Sequence, residues 1–311
     1  MESAHSHPWA SAFEFAVGLG IRDGERPVRI EGFCFVIIGV INNKGGTAKT
    51  TTSVNLAGAM ARDGWRTLLV DLDAQASASL SLGVATDALS PSAADVLFSD
   101  MPIAEAARPT GIPGLDLVTA EMDLANADII LADLPGREKR LANALRPAKA
   151  VYDFIILDCP PALSLLPVNA LVAADGCIVC VSPDYLAFQG LVAFTRAVER
   201  IRRGIGAEVT LLGIALTMVI PGLKVTRQIS ETLRQRYGQL VFATEIRRDV
   251  KLAEAPASGK TIFEHAPASN GATAYRALYQ EVLARCGRRD GAAAAMDESE
   301  PLTTSAQGEA P

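Results

Sequence analysis

Gly39-Val-Ile-Asn-Asn43-Lys44-Gly45-Gly46-Thr47-Ala48-Lys49-Thr50-Thr51 is the most informative stretch of the sequence. It joins a buried strand to an amphipathic helix, and this junction indicates the class of fold. The apolar run Phe35 to Asn42 precedes it, and a helical pattern over 50–63 follows, closed by Gly64. Gly45 and Gly46 let the backbone curl so that several N–H groups point inward, and the helix adds the positive end of its dipole. This combination predicts a phosphate-binding loop.

The residue types of this loop predict how a nucleotide is held. Lys49 can reach the β- and γ-phosphates, and the Thr50 hydroxyl can bind the Mg²⁺ that bridges them. Asn43 and Ala48 replace the glycines of the pattern G-x-x-x-x-G-K-S/T, and the loop fits the form K-G-G-x-x-K-S/T instead. If position 48 needs a positive φ, the Cβ of Ala48 strains the loop. The predicted nucleotide-binding residues are Lys44, Gly45, Gly46, Thr47, Ala48, Lys49, Thr50 and Thr51.

The second lysine of the loop, Lys44, lies at its beginning, where a cation makes most sense in trans. In a face-to-face homodimer with two ATP molecules between the subunits, each Lys44 would contact the phosphates held by the other subunit, as an arginine finger does. The alternative is a solvated loop lysine. We predict that Lys44, Lys49 and Asp73 are catalytic.

Two aspartates lie where strands of the predicted sheet end. Asp73 follows the strand Arg66 to Asp71, and Asp158 ends the strand Asp153 to Asp158. The carboxyl ends of strands line the ligand crevice of doubly wound sheets. We therefore assign Asp158 to the Mg²⁺ hydration shell, as a Walker B carboxylate, and Asp73 to the attacking water; either alone would also fit a helix cap or a turn. The predicted Mg²⁺ site comprises Thr50, Asp73 and Asp158.

Apolar runs alternate with helical patterns along the chain. The runs are dense in Val, Ile and Leu with little polar alternation, as expected of strands covered on both faces. Further strands are predicted at 176–182 and 209–219, and helices at 162–174, 186–203, 225–237 and 272–285. The alternation predicts an α/β fold with right-handed crossovers and a doubly wound, mostly parallel sheet.

Composition restricts the class of protein. The 311 residues are 49% hydrophobic and 21% charged, which excludes a fibrous or fully disordered chain. The longest apolar runs are about strand length, short of the ~20 residues of a membrane-spanning helix, and no basic region precedes an apolar stretch at the start. Five cysteines, an odd number, fit a reduced compartment. We therefore expect a cytoplasmic protein.

The two ends of the chain differ from its middle. Residues 290–311 carry five acidic and no basic side chains and few apolar ones, so we expect a disordered acidic tail. Without this tail, the formal charge of −6 becomes nearly neutral. Residues 1–33 show no period and are predicted to be an N-terminal extension of unknown role. Residues 34–289 are predicted to form one domain.

Four ordered blocks, at 44–56, 69–75, 156–161 and 250–256, resemble the ParA/Soj family of partition ATPases, in the deviant Walker A group of P-loop NTPases that also includes MinD. The resemblance covers about 35–286. It implies binding of ATP and Mg²⁺, a nucleotide-sandwich homodimer, and non-specific binding to nucleoid DNA. It also implies weak hydrolysis until a ParB-like cargo adaptor stimulates it, in cycles that position chromosome, plasmid or protein cargo.

The chain departs from the family pattern at two places. Relatives commonly read D-P-Q-G after the second strand, whereas Ala74 and Ala76 stand here in place of the Pro and Gly. Some relatives also carry an Arg shortly after a strand-ending T-M, and none follows Met218 closely. Lys224 and Arg227 come next along the chain and are the DNA-binding substitutes that we expect.

Basic residues concentrate between 191 and 260, with twelve Lys and Arg against six Asp and Glu. Arg247, Arg248 and Lys251 cluster in the block that resembles a DNA-binding segment of the family. Two copies in a dimer would double the phosphate contacts, so DNA binding should depend on ATP and fall with salt. The basic residues of the helix at 186–203 fit a solvated surface equally well.

Three rival functions share this fold. A MinD-like membrane-associated ATPase needs a C-terminal amphipathic helix with a basic face, which residues 290–311 do not supply. An iron-sulfur carrier is suggested by Cys177 and Cys180, but their odd spacing on a strand directs them to opposite faces. An ATP-dependent biosynthetic enzyme fits the 250–256 block and the basic region less well. His5 and His7 have no third ligand nearby, so no structural metal is predicted.

Overall fold

The computed structural model describes residues 36–161, 164–184, 187–206 and 209–287. Within these ranges, an eight-stranded sheet carries helices on both faces. The strands are β1 (Val36–Ile41), β2 (Thr67–Asp71), β3 (Ala107–Pro109), β4 (Leu115–Val118), β5 (Phe154–Asp158), β6 (Gly176–Val181), β7 (Thr210–Val219) and β8 (Val241–Arg247). The helices are α1 (Lys49–Arg62), α2 (Ser77–Ser81), α3 (Ala93–Phe98), α4 (Ile103–Ala106), α5 (Ala127–Ile130), α6 (Arg140–Ala144), α7 (Leu165–Ala173), α8 (Ala187–Ile205), α9 (Lys224–Tyr237), α10 (Val250–Glu254), α11 (Ile262–His265) and α12 (Asn270–Arg285).

The strand order is β3-β4-β2-β5-β1-β6-β7-β8. All neighbouring strands run parallel except the edge pair β3 and β4. The first strand therefore lies inside the sheet, and the chain builds outward from it in both directions. This order confirms the predicted doubly wound, mostly parallel α/β fold of a P-loop NTPase. The carboxyl ends of β1, β2 and β5 meet at the same edge, where ligands bind in such sheets.

The sheet separates two hydrophobic cores. Ile37 and Ile41 of β1 belong to one cluster, and Ile38 and Val40 belong to the other, so successive residues of the strand face opposite cores. Helices α3, α6, α7 and α9 cover the first face, whereas α1 and α12 cover the second. Burial on both faces explains why β1 is apolar at nearly every position, since neither face has to meet water.

The five strands and five helices predicted from the sequence are all present, with ends within a few residues of the prediction. Gly64 follows α1 with a φ of 88°, as expected of a residue that ends a helix. The prediction omitted β3 and β4 at one side of the sheet, the edge strand β8 at the other side, and the short helices between β2 and β5. The N-terminal extension at 1–33, the acidic tail and residues 162–163 of a predicted helix lie outside the described residues.

The cysteines of β6 point to opposite sides of the sheet. Cys177 belongs to one core cluster and Cys180 to the other, as their odd spacing predicts. Both are buried, and neither forms a disulfide bond. Two thiols that the sheet separates cannot ligate one cluster, so the iron-sulfur carrier is not supported. In the described ranges, no helix is both long and apolar enough to cross a membrane.

Candidate nucleotide-binding site

The loop between β1 and α1 lies at the carboxyl end of an inner strand, since β1 is paired on both sides by β5 and β6. Gly46 and Ala48 adopt the left-handed backbone conformation, with φ values of 72° and 56°. These two residues turn the chain into α1, and no side chain caps the first turn of the helix. The backbone N–H groups of that turn therefore remain available to an anion.

Two buried polar side chains hold the loop. The Asn42 Nδ2 donates to the Cys180 carbonyl at 2.6 Å, and the Asn42 Oδ1 accepts from the Lys44 N–H at 3.1 Å. The Thr217 Oγ1 donates to the Thr47 carbonyl at 2.9 Å. These bonds tie the loop to β6 and β7. Sequence analysis did not assign Asn42 or Thr217 to the site, although a polar residue at the end of an apolar strand was a usable signal.

Lys49 is a buried cation. Its Nζ donates to the Lys44 carbonyl at 3.1 Å, and only 7% of the residue is exposed. Among the described residues, no carboxylate forms an ion pair with it. The Lys49 charge acts on the nearby Asp158, but without a carboxylate at contact distance a buried ammonium group is costly unless an anion binds it. No atom lies within 4 Å of where a Cβ on Gly45 or Gly46 would stand, so the loop is open on that side. Lys49 and the open loop together fit a phosphate group.

The Lys44 side chain contacts the segment that follows β6. Its Nζ lies 2.5 Å from the Asp184 Oδ2, and both side chains are about two-fifths exposed, at 40% and 44%. The two lysines of the loop therefore differ in environment, because one is buried and the other lies in solvent with a carboxylate partner. An exposed ion pair of this kind is held weakly, so Lys44 can exchange its partner at low cost.

Asp158 and Asp71 are adjacent buried carboxylates. They stand opposite each other in the register of β5 and β2, and neither is exposed to solvent. The Ser53 Oγ donates to the Asp158 Oδ1 at 2.7 Å, whereas the Asp158 Oδ2 has no hydrogen-bond partner. The Thr50 hydroxyl lies close enough to Asp158 to lower its pKa. An unpartnered buried carboxylate oxygen beside the Thr50 hydroxyl fits the oxygen ligands that Mg²⁺ and its waters require.

Burial shifts the titration of both carboxyls. Burial raises the pKa of Asp158 to about 7, the nearby charge of Asp71 adds to the increase, and hydrogen bonds from Ser53 and Thr50 oppose it. Burial also raises the pKa of Asp71 to about 6 against the hydrogen bonds from Ser79. Each group resists ionisation because its charge is desolvated beside a like charge. A bound cation would remove this penalty.

The segment after β2 is organised by Asp71. The Asp71 Oδ2 accepts from the backbone N–H and the hydroxyl of Ser79, at 2.9 and 2.8 Å, and its Oδ1 accepts from the Asp73 N–H at 3.1 Å. The Asp73 Oδ1 accepts from the Gln75 N–H at 3.0 Å, so this aspartate also forms a turn. Ala76 follows with a φ of 52°, in the left-handed region. Asp73 is half-buried and follows β2 directly, next to the Asp71–Asp158 pair.

A cavity of about 700 Å³ opens beside the loop. Its lining includes Gly46, Ala48 and Thr51 from the loop, Met218 from β7 and Tyr275 from α12. Its walls are mainly apolar side chains and backbone. Because it adjoins the open side of the phosphate loop, it is the space available to the nucleoside of a bound nucleotide.

The predicted DNA-binding residues lie around the ends of β7 and β8, and all five are exposed. Arg247 and Arg248 line the cavity beside the loop and also a second cavity of about 1090 Å³, which Lys251 lines as well. Lys224 and Arg227 lie in the first turn of α9. The structure therefore brings these residues to the same end of the sheet as the phosphate loop. On α8, Arg203 pairs with Glu199 at 2.6 Å, as a solvated helix surface would.

The left-handed conformation of Ala48 leads to a stability prediction. A Cβ in this conformation costs ~1–2 kcal/mol of strain, which a glycine at this position would remove. The greater conformational freedom of glycine in the unfolded chain would cancel ~0.4–1 kcal/mol of that gain. Ala48→Gly should therefore leave the free energy of unfolding unchanged or raise it by about 1 kcal/mol. Ala277→Gly, in the middle of α12, is the matched control and should lower it by about 1 kcal/mol. Urea unfolding of both variants measures the difference, and equal losses would show that position 48 is unstrained.

Comparisons with known proteins agree with this geometry. A family model described as an AAA domain matches residues 35–211. Chromosome-partitioning ATPase Soj of Thermus thermophilus is 42% identical over 248 residues, which cover 80% of this chain and 95% of that protein. Chromosome partitioning protein ParA of Myxococcus xanthus is 39% identical over 249 residues, which cover 80% of this chain and 88% of that protein.

Solved structures share the fold. Cobyrinic acid a,c-diamide synthase from Mycobacterium smegmatis, with a bound ATP analogue and magnesium, superposes with a TM-score of 0.70 at 32% identity, covering 82% of this chain and 98% of that one. MinD from Pyrococcus horikoshii, complexed with Mg-ADP, superposes with a TM-score of 0.64 at 25% identity, covering 80% and 96%. With these matches added to the loop and its carboxylates, the chain belongs to the ParA/Soj family and is an ATPase that uses ATP and Mg²⁺.

Proposed function

We propose that this ATPase is a partition motor, which binds Mg-ATP, pairs as a nucleotide-sandwich homodimer and binds DNA without sequence preference. Release would follow when a ParB-like cargo adaptor stimulates hydrolysis, so that chromosome, plasmid or protein cargo is positioned. The observation that supports this most is the pair of loop lysines. Lys49 is buried at the base of the loop, whereas the Lys44 side chain is 40% exposed and is held by an exposed ion pair, from which a second subunit could draw it away. Relatives named for chromosome partitioning add support.

Within one subunit, the loop supplies the phosphate contacts. Lys49 and the first N–H groups of α1 would hold the β- and γ-phosphates, and residues 44–51 would surround them. Thr50 and Asp158 would hold the Mg²⁺ and its waters, with Asp73 nearby. When bound, Mg²⁺ neutralises the charge that develops on the phosphates. Asp73 would orient the attacking water, because its second carboxylate oxygen accepts no hydrogen bond within the described residues.

The second cation would come from the other subunit. The described part of one subunit offers Lys49 as a buried cation at the loop, and Lys44 instead contacts Asp184. In a face-to-face pair, phosphate charge would compete with the Asp184 carboxylate for Lys44. Lys44 should bind a doubly charged phosphate more strongly than the exposed Asp184 carboxylate, because the phosphate carries more charge and the exposed ion pair is weak. Hydrolysis would therefore depend on pairing.

DNA binding would use Lys224, Arg227, Arg247, Arg248 and Lys251. These exposed lysines and arginines supply positive charge, but they are not part of a motif that recognises nucleobases. They therefore favour contacts with the DNA phosphates. Since Arg247 and Arg248 also line the cavity beside the loop, nucleotide binding and DNA binding share residues at one end of the sheet. The protein would lie in the cytoplasm on the nucleoid, with no membrane partner.

Retention on non-specific DNA tests this function. We expect retention with ATP, little retention with ADP or without nucleotide, and a steep decrease as salt rises from about 50 to about 200 mM. Retention that ignores nucleotide, or its absence in every state, would contradict the proposal. The second outcome, with ATP-dependent amide formation on an acid substrate, would favour an enzyme like the diamide synthase that shares this fold.

Asp73→Ala should uncouple binding from hydrolysis. Removing the carboxylate leaves the loop intact, but the attacking water loses its acceptor, so hydrolysis should fall by roughly 100-fold or more. The variant should accumulate as an ATP-bound dimer on DNA. Hydrolysis is measured by phosphate release and dimerisation by sedimentation. Gln75→Ala is the control, because its backbone N–H still donates to Asp73. A normal rate for Asp73→Ala would assign the water to another residue.

A further inference from the structure

Five exposed basic residues lie at or just beyond the ends of β7 and β8, and together we name them the basic face. The backbone N–H of Arg248 donates to the Val219 carbonyl at 2.9 Å, which joins the end of β8 to the end of β7. Helix α9 begins only five residues beyond Val219 and α10 begins three residues beyond Arg247. The basic face comprises Lys224, Arg227, Arg247, Arg248 and Lys251.

Three of the five cations of the basic face have no ion-pair partner among the described residues. Arg227 pairs with Glu231 at 3.1 Å and Lys251 with Glu254 at 2.8 Å. Lys224, Arg247 and Arg248 form no ion pair among the described residues.

Exposed apolar side chains accompany this charge. Leu223 and Val225 flank Lys224, and Val250 precedes Lys251; they are 46%, 44% and 69% exposed. A surface that is both basic and apolar fits an acidic segment with a few apolar residues better than it fits bare solvent.

The same chain carries such a segment. Residues 290–311 have five acidic and no basic side chains, and they include Met296 and Leu302. The acidic residues are Asp290, Asp297, Glu298, Glu300 and Glu309. We propose that this acidic tail binds the basic face of its own chain and competes there with DNA. The competition rests on the proposed DNA binding, whereas the contact between tail and basic face does not.

The tail can reach the basic face from where the described chain ends. Helix α12 is about 24 Å long, from its 16 residues. Its first turn lines a cavity together with Arg247 and Lys251, and Arg285 at its other end donates to the carbonyls of Leu212 and Leu240. The tail thus starts about one helix length away. Residues 288–296 can span up to about 30 Å, so the acidic stretch that begins at Asp297 reaches the basic face.

Tethering makes even a weak contact effective. A segment of this length, tethered to the same chain, would hold its acidic residues near the basic face at an effective concentration of about 1 mM. A contact with a dissociation constant of about 0.1 to 0.5 mM would then occupy the face in most molecules and weaken DNA binding about threefold to tenfold. Because the contact joins opposite charges and the basic face is exposed, it should weaken as salt rises.

Zero-length cross-linking tests the contact without DNA. A carbodiimide joins a lysine to a carboxylate that touches it, and the Lys251–Glu254 pair is the internal positive control. In the full chain at about 50 mM salt, we expect cross-links from residues 297–300 to Lys224 or Lys251, which fade at about 200 mM. Mixing isotopically heavy and light protein separates links within one chain from links between chains. Tail cross-links to Lys139, on the other half of the sheet, at equal yield would contradict a specific contact, and so would the absence of links to the basic face.

DNA affinity tests the competition. Asp297→Asn, Glu298→Gln and Glu300→Gln together should tighten ATP-dependent binding to non-specific DNA about threefold to tenfold at low salt, and less at high salt. The control makes the same charge change at three exposed carboxylates elsewhere, as Asp87→Asn, Glu105→Gln and Asp123→Asn, and should tighten it much less. If both triple variants tightened DNA binding equally, the effect would come from net charge alone and the proposed competition would be wrong. If neither variant binds DNA but the tail cross-links persist, the partition function fails and the contact stands.

Discussion

Lys49→Ala is expected to weaken ATP binding by about 100-fold or more, whereas Lys44→Ala should leave it within about twofold. Lys49 is the buried cation of the loop, and its Nζ now donates only to the Lys44 carbonyl. A phosphate would replace that carbonyl with charge-assisted hydrogen bonds, which are worth ~1.5–3 kcal/mol each. Alanine removes both the charge and the donor. Lys44 contacts Asp184 in solvent, so its own subunit loses little.

Lys44→Ala, which spares ATP binding, should instead impair the pairing of two subunits. Lys44→Ala should bind ATP yet remain a single subunit, and its hydrolysis should fall by about 1,000-fold, within the range known for an arginine finger. Calorimetry measures ATP affinity, and sedimentation of the ATP-saturated protein measures pairing. Lys44→Arg is the matched control, since it keeps a cation at the same place. A Lys44→Ala protein that pairs normally would show that this lysine acts within its own subunit, and the trans mechanism would be wrong.

The sequence alone predicts the centre of the fold. Continuous apolar runs such as Val36–Ile41 are diagnostic because both faces are buried, and the glycines of the loop mark the turn into α1. Strand β3 has only three residues and includes Pro109, so it has no detectable period. The helices between β2 and β5 have four to six residues, which is too short for a helical pattern. Their positions follow from packing onto the sheet.

Contacts between distant residues were less accessible. Lys44 and Asp184 are 140 positions apart, and nothing local to either indicates that they meet. Asp71 was predicted only as the last residue of a strand, whereas its carboxylate accepts hydrogen bonds from Ser79 and so positions the segment that carries Asp73. Strain at Ala48 was predicted only if position 48 needs a positive φ, and its φ is 56°. Site residues on one loop were therefore easier to find than the residues that hold the loop.

Asp158→Asn should abolish activity and stabilise the protein without nucleotide. A neutral amide cannot hold the Mg²⁺ hydration shell as a carboxylate does, so Mg²⁺-dependent hydrolysis should fall by about 100-fold or more. The same substitution removes a fully buried charge whose Oδ2 has no partner. Asn keeps an oxygen that accepts from the Ser53 hydroxyl. The opposite signs identify a residue that is retained for chemistry rather than for folding.

The pH dependence of stability follows from the raised pKa. Burial raises the pKa of Asp158 to about 7, against 3.8 for the unperturbed group. Between these values the folded protein holds a proton that the unfolded chain has lost, so the contribution of Asp158 to stability decreases as pH rises through this window. Above about pH 7 the full penalty of the buried charge is present. The gain from Asp158→Asn should therefore be near zero at about pH 4 and reach roughly 2 to 4 kcal/mol at about pH 8.

Urea unfolding at a series of pH values, with neither nucleotide nor Mg²⁺, measures this gain. Asp71→Asn is the informative contrast, because the Asp71 carboxylate accepts from Ser79 twice and from Asp73 once. The NH₂ group of an asparagine at this position would face the donor groups of Ser79 or Asp73. The variant should therefore gain little stability or lose some, even though burial also raises the pKa of Asp71. If Asp158→Asn were less stable than the parent at about pH 8, the buried carboxylate would be paired within the fold, and its unpartnered oxygen would no longer support a cation site.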